Sequence, residues 1–169
     1  MKNIYLVGFM GTGKTFVGKI LAQKLNKKFI EMDEVIEEKA GKKIADIFKD
    51  QGEPYFRGLE RALLKKLAGQ NDLVISCGGG VVCRKENILL MKKSGTIINL
   101  YSSPEKIYQR TKNDKSRPLL QGEDPLGKIK DLLKQRAAFY ARADYQVRSE
   151  DETPEAVAQN IVNLVQNEK

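Results

Sequence analysis

The sequence contains no histidine. That removes the Ser-His-Asp triad, a histidine general base and histidine-ligated zinc, and leaves proton transfer to carboxylates, lysine, tyrosine, cysteine or water. Cysteine is scarce too. Cys77 and Cys83 are the only two, too few for a disulfide framework or a metal site, as expected of a reduced, cytoplasmic enzyme. Long apolar runs are missing: the longest, at 4–7 and 96–100, fall far below the ~18–20 residues of a membrane helix, so no membrane partner is expected. The first ten residues faintly resemble a secretory signal but run into a Gly/Lys/Thr loop with no small-residue cleavage site. Repeats, low-complexity tracts and Pro/Gly/Ser linkers are also lacking. At 169 residues the chain therefore reads as one domain, 1–169, against a usual ~100–200 residues per domain.

What is present is charge and alternation. The net charge is +8, unevenly spread: residues 149–169 hold five acids and one lysine, which leaves +12 on residues 1–148. A basic body attracts polyanions such as nucleotides, acidic metabolites or nucleic acid, although a solvated lysine-rich surface accounts for much of it. Short apolar strands are expected at 3–7, 29–32, 73–77, 96–101 and 145–148. Between them, residues such as Val17, Ile20, Leu21 and Leu25, or Phe56, Leu59, Leu63 and Leu67, recur at helical spacing. Short helices are expected at 44–49, ending at Gly52, and around Ile88 and Met91; Ser103-Pro104 caps another, and 112–125 reads as a surface loop. Strands alternating with helices predict an α/β fold, a parallel sheet covered on both faces, with ligands beyond the carboxyl ends of the strands.

Gly8-Phe9-Met10-Gly11-Thr12-Gly13-Lys14-Thr15 fits the phosphate-binding pattern G-x-x-x-x-G-K-[ST], between a strand and a helix. The glycines let backbone N–H groups face phosphate oxygens, the helix N-terminus adds partial positive charge, Lys14 reaches the β/γ-phosphates and Thr15 ligates Mg²⁺. A regulatory GTPase is excluded by the missing N-K-x-D and by a lone D-x-x-G, Asp124 to Gly127, in a polar stretch. A small phosphotransferase joining ATP to a second substrate remains.

Asp33 follows the second strand, where a carboxylate can accept a hydroxyl proton or simply cap the next helix; spacing alone leaves both open. Glu31, two residues earlier on an extended strand, points the same way and can serve Mg²⁺ directly or through water. Arg136 sits on the apolar stripe of its helix, Arg57 at helical spacing from Glu53 and Glu60, and Arg117 in the polar loop. Each has an ordinary ion-pair reading. Together they match a carboxylate-bearing acceptor, whose geometry suits the guanidinium fork. Gly78-Gly79-Gly80 ends the third strand and suits close approach of backbone N–H groups to a small ligand.

With these residues in view, the chain resembles the shikimate kinase family. The resemblance rests on residues 8–15, on Met32-Asp33-Glu34-Val35-Ile36-Glu37, on Ile44-Ala45-Asp46-Ile47-Phe48, on Gly52-Glu53 with Phe56-Arg57, on the glycine triplet, on Arg117-Pro118-Leu119-Leu120, and on Arg136-Ala137 with Tyr140. It spans nearly the whole chain. It implies phosphorylation of the shikimate 3-hydroxyl by ATP in aromatic amino acid biosynthesis, on a three-layer α/β/α fold with a five-stranded parallel sheet of the nucleoside-monophosphate-kinase kind. It implies ATP contacts at Gly11, Thr12, Gly13, Lys14, Thr15, Phe16, Arg110, Arg117 and Pro154, with Arg110 and Pro154 beside the adenine. It implies shikimate contacts at Asp33, Arg57, Gly79, Gly80 and Arg136, an acceptor-binding region about 33–61 and a mobile lid about 112–124 carrying Arg117. Catalysis falls to Asp33, Lys14 and Arg117, with one Mg²⁺ at Thr15 and Glu31; the family often has Asp where this chain has Glu31. A monomer is implied.

Two other readings compete. Another small P-loop kinase, for gluconate or a nucleoside monophosphate, shares the phosphate loop, though a nucleotide acceptor needs a second base pocket for which no candidate stands out. A nucleic-acid-binding ATPase would use the basic body, but its cations are not interleaved with stacking aromatics, which are only 7% of the chain, so no nucleic-acid partner is expected.

Overall fold

A computed structural model of the chain describes residues 2–114 and 122–167. Its strands are β1 (Asn3–Val7), β2 (Lys28–Glu31), β3 (Leu73–Ser76), β4 (Gly95–Tyr101) and β5 (Tyr145–Arg148). They form one sheet in the order β2-β3-β1-β4-β5, and every neighbouring pair is parallel. Parallel neighbours require crossovers, which here are helical: α1 (Lys14–Lys24), α2 (Met32–Ala40), α3 (Ile44–Ala68), α4 (Lys85–Ser94), α5 (Pro104–Thr111) and α6 (Pro125–Tyr140); α7 (Pro154–Gln166) follows the last strand.

The β1 sequence dictates the three layers. All five of its residues are buried, and successive side chains of a strand point to opposite faces. Ile4 and Leu6 pack with Val17 and Leu21 of α1 and Val157 and Ile161 of α7. Tyr5 and Val7 pack on the other face with Ile36 of α2, Leu64 of α3 and Met91 of α4. A smaller cluster of Phe9, Ile107 and Ile129 seats α5 and α6 beside the phosphate loop. The expected α/β architecture with a five-stranded parallel sheet is the one observed.

Some local expectations change. Met32 belongs to α2 rather than to the second strand, and β3 stops at Ser76. The break expected near Gly52 is present as a kink, with φ 81° and ψ 170° inside α3 and Pro54 just beyond it. That backbone is open to glycine, and Pro54 then restarts the helix in a position where its missing N–H costs nothing. Asp33 is no helix cap: the N-cap position of α2 is Glu31, with no side-chain cap bond. The D-x-x-G sequence is a cap instead, Asp124 accepting from the Gly127 N–H at 2.9 Å with Pro125 following. Ser103 caps α5 as expected, and Thr153-Pro154 opens α7 by the same device.

The chain leaves β1 toward β2 on one side of the sheet and leaves β3 toward β4 on the other. β1 and β3 are neighbours, so their carboxyl ends flank the point where the winding reverses, which in open α/β sheets is where a ligand crevice forms. The phosphate loop follows β1 and the glycine triplet follows β3. The fold thus sets the two most unusual sequence features face to face.

Candidate active site

A cavity of about 1060 Å³ opens at that point. At one end lies the phosphate loop. Gly8 has φ 137°, and a Cβ there would collide with the Leu100 carbonyl oxygen, so only glycine lets β1 turn this close to β4. Gly13 caps α1, whose first intrahelical bond is Val17 N–H to Gly13 O at 3.0 Å. The N–H groups of Lys14, Thr15 and Phe16 therefore precede the helical ladder and face the cavity end, in a first turn with no acidic residue. The loop is strapped from behind: Ser149 donates its hydroxyl to Thr12 O at 2.7 Å, and Arg110 bridges Gly11 O at 3.0 Å and Ser149 O at 3.1 Å. Lys14 reaches back across the loop, with Nζ 2.9 Å from both Gly8 O and Phe9 O.

Thr15 donates its hydroxyl to Glu31 Oε2 at 2.6 Å. Burial pushes the Glu31 carboxyl up, partly offset by that hydrogen bond. The expectation that Glu31 and Asp33 point alike along one strand is wrong in its reason, because β2 ends at Glu31 and Asp33 is already helical. Both still line the cavity, since the chain turns between them. A hydroxyl and one carboxylate side by side are hard oxygen donors. They fit a Mg²⁺ ion that takes the rest of its shell from phosphates and water. Among the described residues no cluster of three or more acidic or cysteine side chains offers a fuller protein cage.

The other end is an arginine pocket. Arg57 is held by two carboxylates on its own helix, Glu53 Oε1 at 3.0 Å from Nη2 and Glu60 Oε2 at 3.0 Å from Nη1. Arg136 is only 8% exposed and lies over the Phe9 ring, 5.7 Å from its centroid. The glycine triplet runs between them. A Cβ on Gly78 would stand 2.6 Å from Glu60 Oε1 and 3.2 Å from Asp33 Oδ1, and one on Gly80 would strike the Arg57 guanidinium. None of the three has the positive φ that calls for glycine; at Gly78 and Gly80 it is space that favours glycine, while a Cβ on Gly79 would make only ordinary contacts. Phe48 and Phe56, with ring centroids 5.0 Å apart, form an apolar wall.

Glu60 went unnoticed in the sequence except as an ion-pair partner for Arg57. It is buried, its Oε1 accepts no hydrogen bond among the described residues, and burial pushes its carboxyl up to about 7 against the pull of Arg57. Ser149 was also missed, because a serine at the end of a strand carries no local signal. Gly11, Thr12, Gly13, Lys14, Thr15, Phe16, Arg110 and Pro154 line the first end of the cavity; Asp33, Arg57, Gly79, Gly80 and Arg136 line the second, with Glu31 between. Arg117 lies outside the described residues, as does the middle of the expected lid. Burial raises both thiols: Cys77, at the end of β3, is fully enclosed and Cys83 half-buried, so neither is an activated nucleophile.

The geometry agrees with comparisons to known proteins. The family model for shikimate kinase matches residues 10–166. A shikimate kinase from Sulfurihydrogenibium sp. is 47% identical over 165 residues, covering 98% of each chain. One from Thermodesulfovibrio yellowstonii is 47% identical over 162 residues, 96% of this chain and 94% of that one. The solved structure of the Acinetobacter baumannii shikimate kinase in complex with shikimate superposes with a TM-score of 0.96 at 40% identity, covering 100% of this chain and 95% of that one. A phosphate loop at one end of the cavity, an arginine pocket at the other and near full-length identity of this order leave one assignment: the chain belongs to the shikimate kinase family, ATP-dependent phosphotransferases acting on shikimate.

Proposed function

We propose that this chain transfers the γ-phosphoryl group of ATP to the 3-hydroxyl of shikimate, giving shikimate 3-phosphate and ADP. The carrying observation is that one cavity joins an anion-binding helix start to a pocket lined by Arg57, Arg136 and the Asp33 carboxylate, which suits a small hydroxy-carboxylate acceptor. It also disfavours a nucleotide acceptor, which would need a second base pocket.

In this reading Gly11, Thr12, Gly13, Lys14, Thr15 and Phe16 hold the ATP phosphates, and Arg110 and Pro154 flank the adenine. Arg57, Arg136 and the N–H groups of Gly79 and Gly80 hold the acceptor and its carboxylate. Asp33 orients the 3-hydroxyl and takes its proton as that oxygen bonds to the γ-phosphorus and the bond to the β-phosphate oxygen breaks. Lys14 meets the negative charge that spreads over the transferring group. Arg117 is assigned to the ATP phosphates by its motif alone. Thr15 and Glu31 would hold Mg²⁺, which would supply positive charge to offset that of the phosphates. No described helix is long and apolar enough to cross a membrane.

The test is ADP release from ATP and Mg²⁺ with and without shikimate, beside gluconate and nucleoside monophosphates. A large shikimate-dependent rate, lost in Lys14→Ala, is the expected result. Turnover with another acceptor and none with shikimate would overturn the assignment of Arg57, Arg136 and the glycine triplet.

A further inference from the structure

Tyr140 has no part in the reaction as proposed, yet it touches two groups that do. It is the last residue of α6, four after Arg136, so both side chains leave the same face of the helix. It is buried, its hydroxyl donates to Gly79 O at 2.7 Å, and the phenolic oxygen in turn accepts from the Arg136 guanidinium. Burial above all pushes the phenol up to about 12, so it stays a donor throughout the working range of an enzyme.

The bonded carbonyl is half of a peptide plane. Its other half is the N–H of Gly80, and in a trans peptide the two point in opposite directions. Holding Gly79 O on Tyr140 therefore fixes where the Gly80 N–H aims. The turn's own hydrogen bonds, Val81 N–H to Gly78 O and Cys83 N–H to Gly80 O, both 3.1 Å, do not draw on that N–H. Gly79 also lies against both ends of the cavity: a Cβ there would lie 3.5 Å from Arg136 Nη1, 3.5 Å from Gly8 O and 3.7 Å from Met10 N. Glycine peptides tilt easily, so without an anchor the donor and the arginine would drift against each other and against the phosphate loop.

We infer that Tyr140 is a positioning residue for phosphoryl transfer: its hydroxyl ties the Gly79–Gly80 peptide to Arg136 and sets the spacing of two groups that hold the acceptor. The inference rests on the acceptor assignment proposed above. It asks for nothing that the ring's packing alone would supply.

Tyr140→Phe keeps the ring and removes the oxygen. The expected result is a rise of about five- to tenfold in KM for shikimate and in its calorimetric Kd. KM for ATP should stay within about twofold, since the nucleotide groups are untouched, and an oxygen that served folding alone would leave shikimate binding in place. Arg136→Met is measured beside it, with the double variant. Because both substitutions break the same link, the double variant should weaken shikimate binding little more than Arg136→Met alone. If Arg136→Met binds shikimate normally, the acceptor assignment fails, and this inference with it. If Arg136→Met is impaired but Tyr140→Phe binds shikimate normally, loses both substrates equally, or adds its full effect to that of Arg136→Met, the positioning role alone is overturned.

Discussion

Arg57 and Glu60 sit one turn apart on α3 with Nη1 3.0 Å from Oε2, and the carboxylate of that pair is the more deeply buried partner. Its second oxygen stands beside Gly78 and near Asp33. Glu60 therefore meets attraction from Arg57 and, more weakly, from Arg136, and repulsion from Asp33 in a poorly hydrated wall; burial is the largest influence and, together with that repulsion, outweighs the attraction.

This arrangement makes stability depend on pH. Glu60 ordinarily loses its proton near 4.5, but in the fold only at about 7. Between those values the native state keeps a proton that the unfolded chain has released, so stability falls as pH rises across that window and levels off above it. Glu31, also held up by burial, adds a slope of the same sign. The readout is thus a difference: denaturant unfolding at pH 5 to 8 should show Glu60→Gln losing about 1–3 kcal/mol less than the parent across this range. Parallel slopes in the two proteins would contradict it.

Asp33→Asn keeps the size and one acceptor oxygen of the side chain while removing its basicity. The expected outcome in steady-state kinetics is a fall of about 10²–10³-fold in kcat. Thermal stability should not fall, because a negative charge near Glu60 is removed. Near-normal turnover would show that Asp33 is not the base.

Glu31→Gln retains an oxygen to accept from Thr15 but loses the charge that suits a divalent cation. Calorimetric titration should show affinity for Mg²⁺-ADP falling about tenfold, with affinity for metal-free ADP undiminished. Equal losses in both titrations would place Glu31 in the loop's scaffold and not at the metal.

Two glycines of the site should respond differently to alanine. Gly8→Ala puts a Cβ into the Leu100 backbone oxygen at φ 137°, and the expected cost is more than about 2 kcal/mol of stability. Gly79→Ala meets its nearest neighbours at 3.5 Å, an ordinary contact. It should change stability by less than about 1 kcal/mol while raising KM for shikimate, because the methyl lies against Arg136. The same unfolding and kinetic measurements decide both; a Gly79→Ala protein as unstable as Gly8→Ala would refute the contrast.

Much of this molecule was legible from local pattern. Strand and helix alternation, the break at Gly52 and the Ser103-Pro104 cap each follow from a few neighbouring residues, and so could be read in order. The phosphate loop was legible because its chemistry is contiguous. Its glycines, lysine and threonine act within one strand-to-helix turn, and nothing distant is needed to make the pattern meaningful.

The acceptor end was different. Asp33, Arg57, Gly79, Gly80 and Arg136 come from α2, α3, the turn after β3 and α6, and spacing alone allowed an ordinary ion-pair or capping role for each charged one; the arginines together pointed to a carboxylate-bearing acceptor, and the resemblance to a family gathered all five. The capping alternative for Asp33 fell because β2 ends one residue earlier than the apolar run implies, a matter of pairing with β3. Glu60 carried no local signal beyond its helical spacing from Arg57, and Ser149 none at all. Their roles arise from burial against partners far along the chain, Asp33 and Thr12, and a sequence states neither depth nor distance. The elements and the phosphate-binding turn were thus determined by the sequence through short-range propensity and periodicity. The depth of Glu60, the strap behind the phosphate loop and the Tyr140 link between Gly79 and Arg136 were decided only by tertiary packing, which brings residues dozens of positions apart within 3 Å of each other.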